Sequence, residues 1–150
     1  MATIRVTAIE HGSEAWRAAV ELRWEVLRKP LGMSFTQEQL DSERDALLYA
    51  AYVTDGANEQ LAATALFIPR DTTRVQLRQM AVSPAMQGHG VGRTLLEYME
   101  RDAQSLGYTE IVAEARVSAL PFYIKLGYIA SGEIYEHVGL PHRMIRKRLG

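Results

Sequence analysis

Apolar and polar residues alternate from Thr3 to Ile9, with Ile4, Val6 and Ala8 on one side, and this predicts a short strand. Ser13 can cap a helix running to about Leu27. On it Trp16, Val20, Arg23 and Leu27 share one face, with Trp24 beside them, and Pro30 and Gly32 end it. The polar stretch from Ser34 to Asp45 predicts a short helix around Glu38 to Leu40. Leu47 to Val53 is a continuous apolar run, read as a buried strand. Asp55-Gly56-Ala57-Asn58 is a turn, and Leu61 to Ile68 closes a hairpin. Val75, Leu77, Gln79 and Ala81 then alternate with Gln76, Arg78, Met80 and Val82 in a third strand of this run. Ser83-Pro84 stops it, because proline cannot donate to a ladder.

The run Gln87-Gly88-His89-Gly90-Val91-Gly92 follows, with a helix starting near Gly90. Val91, Leu95, Met99, Ala103 and Leu106 recur at helical spacing, while Glu97, Glu100, Arg101 and Asp102 lie outside that stripe. Gly107 ends the helix. Thr109 to Ala115 predicts a strand. Ser118 can cap a further helix, with Pro121 in its first turn and Gly127 at its end. Tyr128 to Tyr135 and Arg143 to Leu149 predict two last strands joined through Gly139-Leu140-Pro141-His142. The basic run from Arg143 to Arg148 alternates like an edge strand, where lysine and arginine deter wrong pairing. No repeat or linker interrupts the order, so the chain reads as one domain over residues 1–150, a mixed α/β sheet covered by helices.

Composition narrows the function. A net charge of −1 argues against broad binding of nucleic acid or anionic membrane. The absence of cysteine removes disulfides and thiol catalysis. No signal-peptide core and no run long enough to cross a bilayer is present, so the cytoplasm is the expected compartment. His137 and His142 have no third convergent ligand at useful spacing, and no metal is expected.

The glycine loop is the strongest chemical signal. Glycines between a strand and a helix open backbone N–H groups toward one point before the helix N-terminus, where phosphate binds. A Walker loop needs Gly-Lys-Ser/Thr, whereas Gly92 is followed by Arg93-Thr94. A dinucleotide fingerprint belongs after the first strand, whereas this loop lies past mid-chain behind a hairpin. A plain turn that needs glycine for positive φ is the structural alternative.

Three segments taken together discriminate further: Leu77 to Pro84, Gln87 to Leu96, and Phe122-Tyr123-Ile124-Lys125-Leu126-Gly127-Tyr128. They resemble the GCN5-related N-acetyltransferases. The family loop pattern Gln/Arg-x-x-Gly-x-Gly/Ala is met by Gln87, Gly90 and Gly92, and its aromatic-Tyr-x-x-x-Gly-aromatic motif is also met. The order of elements matches over essentially the whole chain. The resemblance implies a mostly antiparallel central sheet of about seven strands and about four helices, with a locally splayed strand pair. It implies acetyl-coenzyme A as cosubstrate and no metal. The pantetheine arm would pair with Met80, Ala81 and Val82. The pyrophosphate would rest on Gln87, Gly88, His89, Gly90, Val91 and Gly92, with Arg93 and Thr94 at the helix start. Lys125 is a candidate for the adenosine end.

Tyr123 is the implied catalytic residue, since a phenol can protonate a leaving alkyl thiolate of similar basicity. The base is less clear-cut. Gln76 stands where histone-modifying members carry glutamate, so Glu114 and His142 become the candidates. Arg116 stands where a family asparagine is common, and can meet an anionic substrate group or the cosubstrate. Acceptor contacts fall on Trp24, Arg28, Met33, Phe35, Tyr135, His137 and His142. The expected reaction is acetyl transfer to a primary amine of a small molecule or peptide by direct attack in a ternary complex. The alternative is a non-catalytic acyl-CoA sensor or interaction module of the same fold, favoured by Gln76 and opposed by Tyr123. Dimers are common among relatives, and an exposed sheet edge is a candidate homodimer surface.

Overall fold

A computed structural model describes residues 2–150. Strands β1 (Thr3–Ile9), β2 (Leu47–Asp55), β3 (Asn58–Pro69), β4 (Arg74–Val82), β5 (Glu110–Arg116), β6 (Ile129–His137) and β7 (Leu140–Arg148) form one sheet in the order β1-β2-β3-β4-β5-β7-β6. Every neighbouring pair is antiparallel except β4 with β5. Helices α1 (Glu14–Arg23), α2 (Gln37–Asp41), α3 (Val91–Ser105) and α4 (Leu120–Lys125) complete the mixed sheet with four helices that the resemblance implies. Parallel neighbours need a crossover, and α3 supplies it between β4 and β5.

Leu48 to Ala51 on β2 and Ala62 to Phe67 on β3 are buried at every position, so these strands are covered on both faces. On one face Tyr49, Ala51 and Phe67 pack with Val91, Leu95, Leu96, Met99 and Ala103 of α3. The alternate β2 positions turn to the other face, where α1 packs across β2, β3 and β4. Ser13 caps α1 through its hydroxyl, which accepts from the Trp16 N–H at 3.1 Å. The chain does not stop at Arg23. It continues as one π-helical turn over Trp24–Arg28 and a 3₁₀ turn over Lys29–Leu31, and Gly32 then ends it at φ 68°.

Three expectations are corrected. Glu100 is only 9% exposed and belongs to the buried side of α3, whereas Leu106 is 56% exposed. The β6–β7 turn closes at Val138 (φ 48°) and Gly139 (φ 76°), so Leu140, Pro141 and His142 are part of β7. Two successive positive φ values suit a tight hairpin, but valine there is strained. The basic β7 is an inner strand between β5 and β6, and the sheet edges are β1 and β6. Alternation alone cannot tell an edge strand from an inner one.

Buried polar bonds tie the layers together. Tyr49 donates to Asp102 at 2.5 Å, and Tyr128 donates to Glu100 at 2.8 Å. Lys147 of β7 joins Glu100 at 3.0 Å and donates to the Leu126 carbonyl at 2.6 Å. Burial first, then the carboxylate partner, raises the pKa of both tyrosines above the ordinary phenol value. A proton held more tightly in the folded state stabilises in full below the unfolded pKa of about 10, and that stability is lost as pH rises beyond it. The melting temperature, followed by circular dichroism, is therefore expected to fall steeply above about pH 10. Tyr49→Phe, which loses about 1–2 kcal/mol at neutral pH, should make that fall shallower. An equally steep fall in the variant would refute the assignment.

Candidate functional site

The site begins where one ladder fails. β4 and β5 pair only from Arg74–Leu77 against Glu110–Ala113. Beyond that point β4 bulges. Its register against β3 slips between Thr64 and Leu66, and Gln79 adopts φ 55°. A bulge adds a residue to one strand and bends it. β4 thus curves away from β5, and its β5-facing backbone edge from Arg78 to Val82 has no strand partner. Peptide-like groups can pair there.

The loop follows at once. Ser83 N–H donates to the Ala62 carbonyl at 2.7 Å, and Gln87 Nε2 donates back to the Val82 carbonyl at 3.1 Å. Gly88 (φ 83°) and Gly90 (φ 79°) take the left-handed conformation, and Gly90 is the N-cap of α3. A Cβ at either would meet nothing within 4 Å. Backbone conformation rather than space is therefore what requires glycine at these two positions. Gly92 differs. Its Cβ would stand 3.3 Å from Val82 Cγ2 and 3.4 Å from both Met80 Cε and Phe122 Cζ, so there glycine lets α3 approach β4 and α4. No side chain caps α3. Its first intrahelical bond runs from Thr94 N–H to the Gly90 carbonyl at 3.0 Å, leaving the amides of Val91, Gly92 and Arg93 before it. An open N-terminus of this kind attracts anions.

Two connected halves form the groove. The first, of about 510 Å³, is lined by Met80, Ala81, Val82, Gln87, Gly88, Gly90 and the start of α3 through Arg93. The second, of about 700 Å³, runs over the splay and is lined by Arg28, Gln76, Glu114, Arg116, His137 and His142 among others. Tyr123, Met80, Gln87, Val26 and Ala119 line both. Tyr123 reaches the junction from α4. Its ring packs edge-on against Phe122 (5.0 Å) and Tyr128 (5.6 Å), and its hydroxyl lies 3.5 Å from Met80 Sδ. Burial pushes the phenol up to about 12. It is thus a protonated donor throughout the physiological range.

The candidate bases meet on the far wall. Register places Arg116 opposite His142, and His142 opposite Tyr135. His142 is 5% exposed, and its Nδ1 lies 2.8 Å from the Leu140 carbonyl. A carbonyl only accepts, so Nδ1 carries the proton and Nε2 is the nitrogen with a lone pair. His137 stacks edge-on against His142 at 5.1 Å, and its Nε2 lies 4.0 Å from Glu114 Oε2. Gln76 is buried, and its side-chain oxygen accepts from Arg70. Among the described residues no group of three or more His, Cys, Asp or Glu is placed to hold a metal ion.

Some expected contacts fall outside both halves. Thr94 bonds its hydroxyl to the Gly90 carbonyl at 2.9 Å, while His89 and Lys125 are exposed, and none of the three lines the groove. Trp24 lies under Lys29, whose ammonium is 5.4 Å from the ring centroid, and does not line the cleft either. Phe35 is packed beneath two guanidiniums. The π-helical turn carries Val26, Leu27 and Arg28 to the cleft, where Arg28 was an expected acceptor contact and Val26 and Leu27 were not. Such turns often mark functional positions.

A splayed strand pair, an open helix N-terminus and a tyrosine at their junction thus line one groove, with a second, polar cleft beside it. The profile of the acetyltransferase (GNAT) family matches residues 16–128, and the chain belongs to that family. Among solved structures, a Lactobacillus plantarum protein assigned as an N-acetyltransferase superposes with a TM-score of 0.83 at 22% identity, over 97% of this chain and 98% of its own. A GNAT family acetyltransferase from Elizabethkingia anophelis with acetyl-CoA bound gives 0.72 at 17%, over 97% and 98%. An aminoglycoside 6′-N-acetyltransferase complexed with coenzyme A gives 0.77 at 16%, over 97% of each. These likenesses establish the shared fold.

The two roles of glycine can be separated by substitution. Gly90→Ala is expected to lose about 1–2 kcal/mol in urea unfolding through its left-handed backbone, and Gly90→Asn distinctly less. Gly92→Val should lose about 1–3 kcal/mol through contact with Val82, Met80 and Phe122 instead. Equal losses for alanine and asparagine at position 90 would remove the backbone explanation.

Proposed function

We propose that this protein transfers an acetyl group from acetyl-CoA to a primary amine of a small molecule or peptide, by direct attack in a ternary complex. The observation that carries this reading is Tyr123, which lines both halves of one groove. The loop from Gln87 to Arg93 supplies amides for the pyrophosphate, and the unpaired edge of β4 at Met80, Ala81 and Val82 suits the amide-bearing arm. The thioester then falls between Met80 and Tyr123, with the acceptor entering from the Glu114 side. Among the described residues no helix is long and apolar enough to cross a membrane.

In the reaction the amine nitrogen bonds to the acetyl carbon and the carbon–sulfur bond breaks. The Tyr123 hydroxyl gives its proton to the departing thiolate. Burial raises the thiolate's basicity as it raises the phenol's, which keeps the two matched. The proton lost by the amine goes to the Glu114 carboxylate, which is exposed in the cleft with His137 beside it. His142 Nε2 is the second acceptor on the same wall. Holding both reactants in one orientation supplies much of the rate.

Coenzyme A release with an amine panel tests this. Tyr123→Phe should lower kcat by roughly 10²-fold with little change in the KM for acetyl-CoA. Because the acid must be protonated, any loss of rate from Tyr123 ionisation comes as pH rises toward about 12, so the profile should show no such limb below about pH 10. Glu114→Gln should lower kcat/KM for the amine with little change in the KM for acetyl-CoA. Tight acetyl-CoA binding without turnover of any amine would instead support the non-catalytic reading.

A further inference from the structure

The second half of the groove carries an unusual charge balance. Arg28, Arg70, Arg78 and Arg116 line it, and Glu114 is its one carboxylate among the described residues, although the chain as a whole has a net charge of −1. Surface charges normally intersperse, and guanidiniums crowded together repel one another. Arg70 is occupied by Gln76. The other three have no ion pair among the described residues. Arg116 has one long contact, 3.4 Å from Nη2 to the Leu27 carbonyl, and the buried Nε of Arg28 has no hydrogen-bond partner. A buried donor left unpaired is costly, so its presence calls for an acceptor.

Nearby carboxylate does not serve that need. Glu43 is bound to Arg23 at 2.6 Å, and both are buried. That pair instead builds a platform. Phe35 lies 4.7 Å from the Arg23 guanidinium and 5.0 Å from that of Arg28, measured to its ring centroid. Arg28 is thereby oriented as well as unpaired. Burial, then Arg116, Arg78 and Arg23, lowers its pKa, consistent with a site of unbalanced positive charge. The phosphates of coenzyme A do not account for the cluster, because none of these four arginines lines the half that holds the glycine loop, where Arg93 stands.

We infer that the acceptor amine carries an oxyanion, a carboxylate or a phosphate, bound by Arg28, Arg78 and Arg116, with its amine turned toward Tyr123 and Glu114. The planar fork of arginine matches either oxyanion in bidentate fashion. The inference rests on the acetyltransferase reading for the amine, but the anion site stands on the arginines alone.

Matched acceptor pairs test it. α-Amino acids are compared with their carboxamides, and phosphoethanolamine with ethanolamine, in coenzyme A release. One oxyanion-bearing series should exceed its neutral partner by about 10²-fold in kcat/KM, and which series does so separates carboxylate from phosphate. Arg28→Gln and Arg116→Gln should each collapse that ratio to within about 3-fold, with the KM for acetyl-CoA as the internal control and partial recovery in the lysine variants. Equal use of neutral or polycationic amines, or equal losses for both members of a pair, would overturn it. A second readout does not depend on turnover. Acetate or inorganic phosphate should raise the melting temperature of the coenzyme A complex of wild type, and distinctly less in Arg116→Gln. If no amine reacts, the transferase reading fails alone. If neither anion stabilises wild type more than the variant, the anion site fails alone.

Discussion

The constraint on which the site depends is the parting of β4 from β5. Four residue pairs of parallel ladder end at Leu77 and Ala113, and from there two strands of one sheet diverge. Backbone N–H and C=O groups inside a fold must be paired, so a gap in a sheet either collapses, fills with water or receives a ligand with its own peptide-like groups. The bulge at Gln79 keeps the gap from collapsing. Its left-handed backbone is uncommon for a residue other than glycine, and strain of this kind persists only where the surroundings hold it. The long β3 strand and α3 supply that hold on either side.

The splay also explains why the groove is lined from several separate elements of the chain. The bulged strand runs into the glycine loop, which caps α3 with its amides free. The π-helical turn after α1 enters from one side with Arg28. β5 and β7 form the opposite wall with Glu114, Arg116 and His142, and α4 places Tyr123 between the halves. The Tyr128–Glu100–Lys147 network fixes that last placement, because it joins α3, the end of α4 and β7 at one buried carboxylate. Tyr123 then packs on Tyr128. The base of the site is thus a polar network, and its top is an open cleft.

Much of this was legible locally. Periodicity located the strands to within a few residues, because alternation and 3.6-residue recurrence are properties of short windows. The loop and the Tyr123 motif were legible because their backbone and spacing requirements are also local. The roles of Glu100, Arg23 and Glu43 were not. A charged residue on a helix normally faces water, and only a partner brought from far along the chain, Lys147 for Glu100 or Glu43 for Arg23, makes burial tolerable. His142 was misplaced for a related reason. The turn was assigned to the proline-containing segment, whereas the chain folds back one step earlier at Val138-Gly139.

By itself, then, the sequence determined the elements, the glycine loop ahead of α3 and the tyrosine motif of α4, since each follows from neighbouring residues. Tertiary structure alone decided which strand lies at an edge, which charges are buried in pairs and which are left facing the cleft. Those outcomes depend on partners far apart in the chain. It is the same reason that the glycine loop can be read from one short run of residues, while the clustering of Arg28, Arg78 and Arg116 along one cleft emerges only in the folded chain.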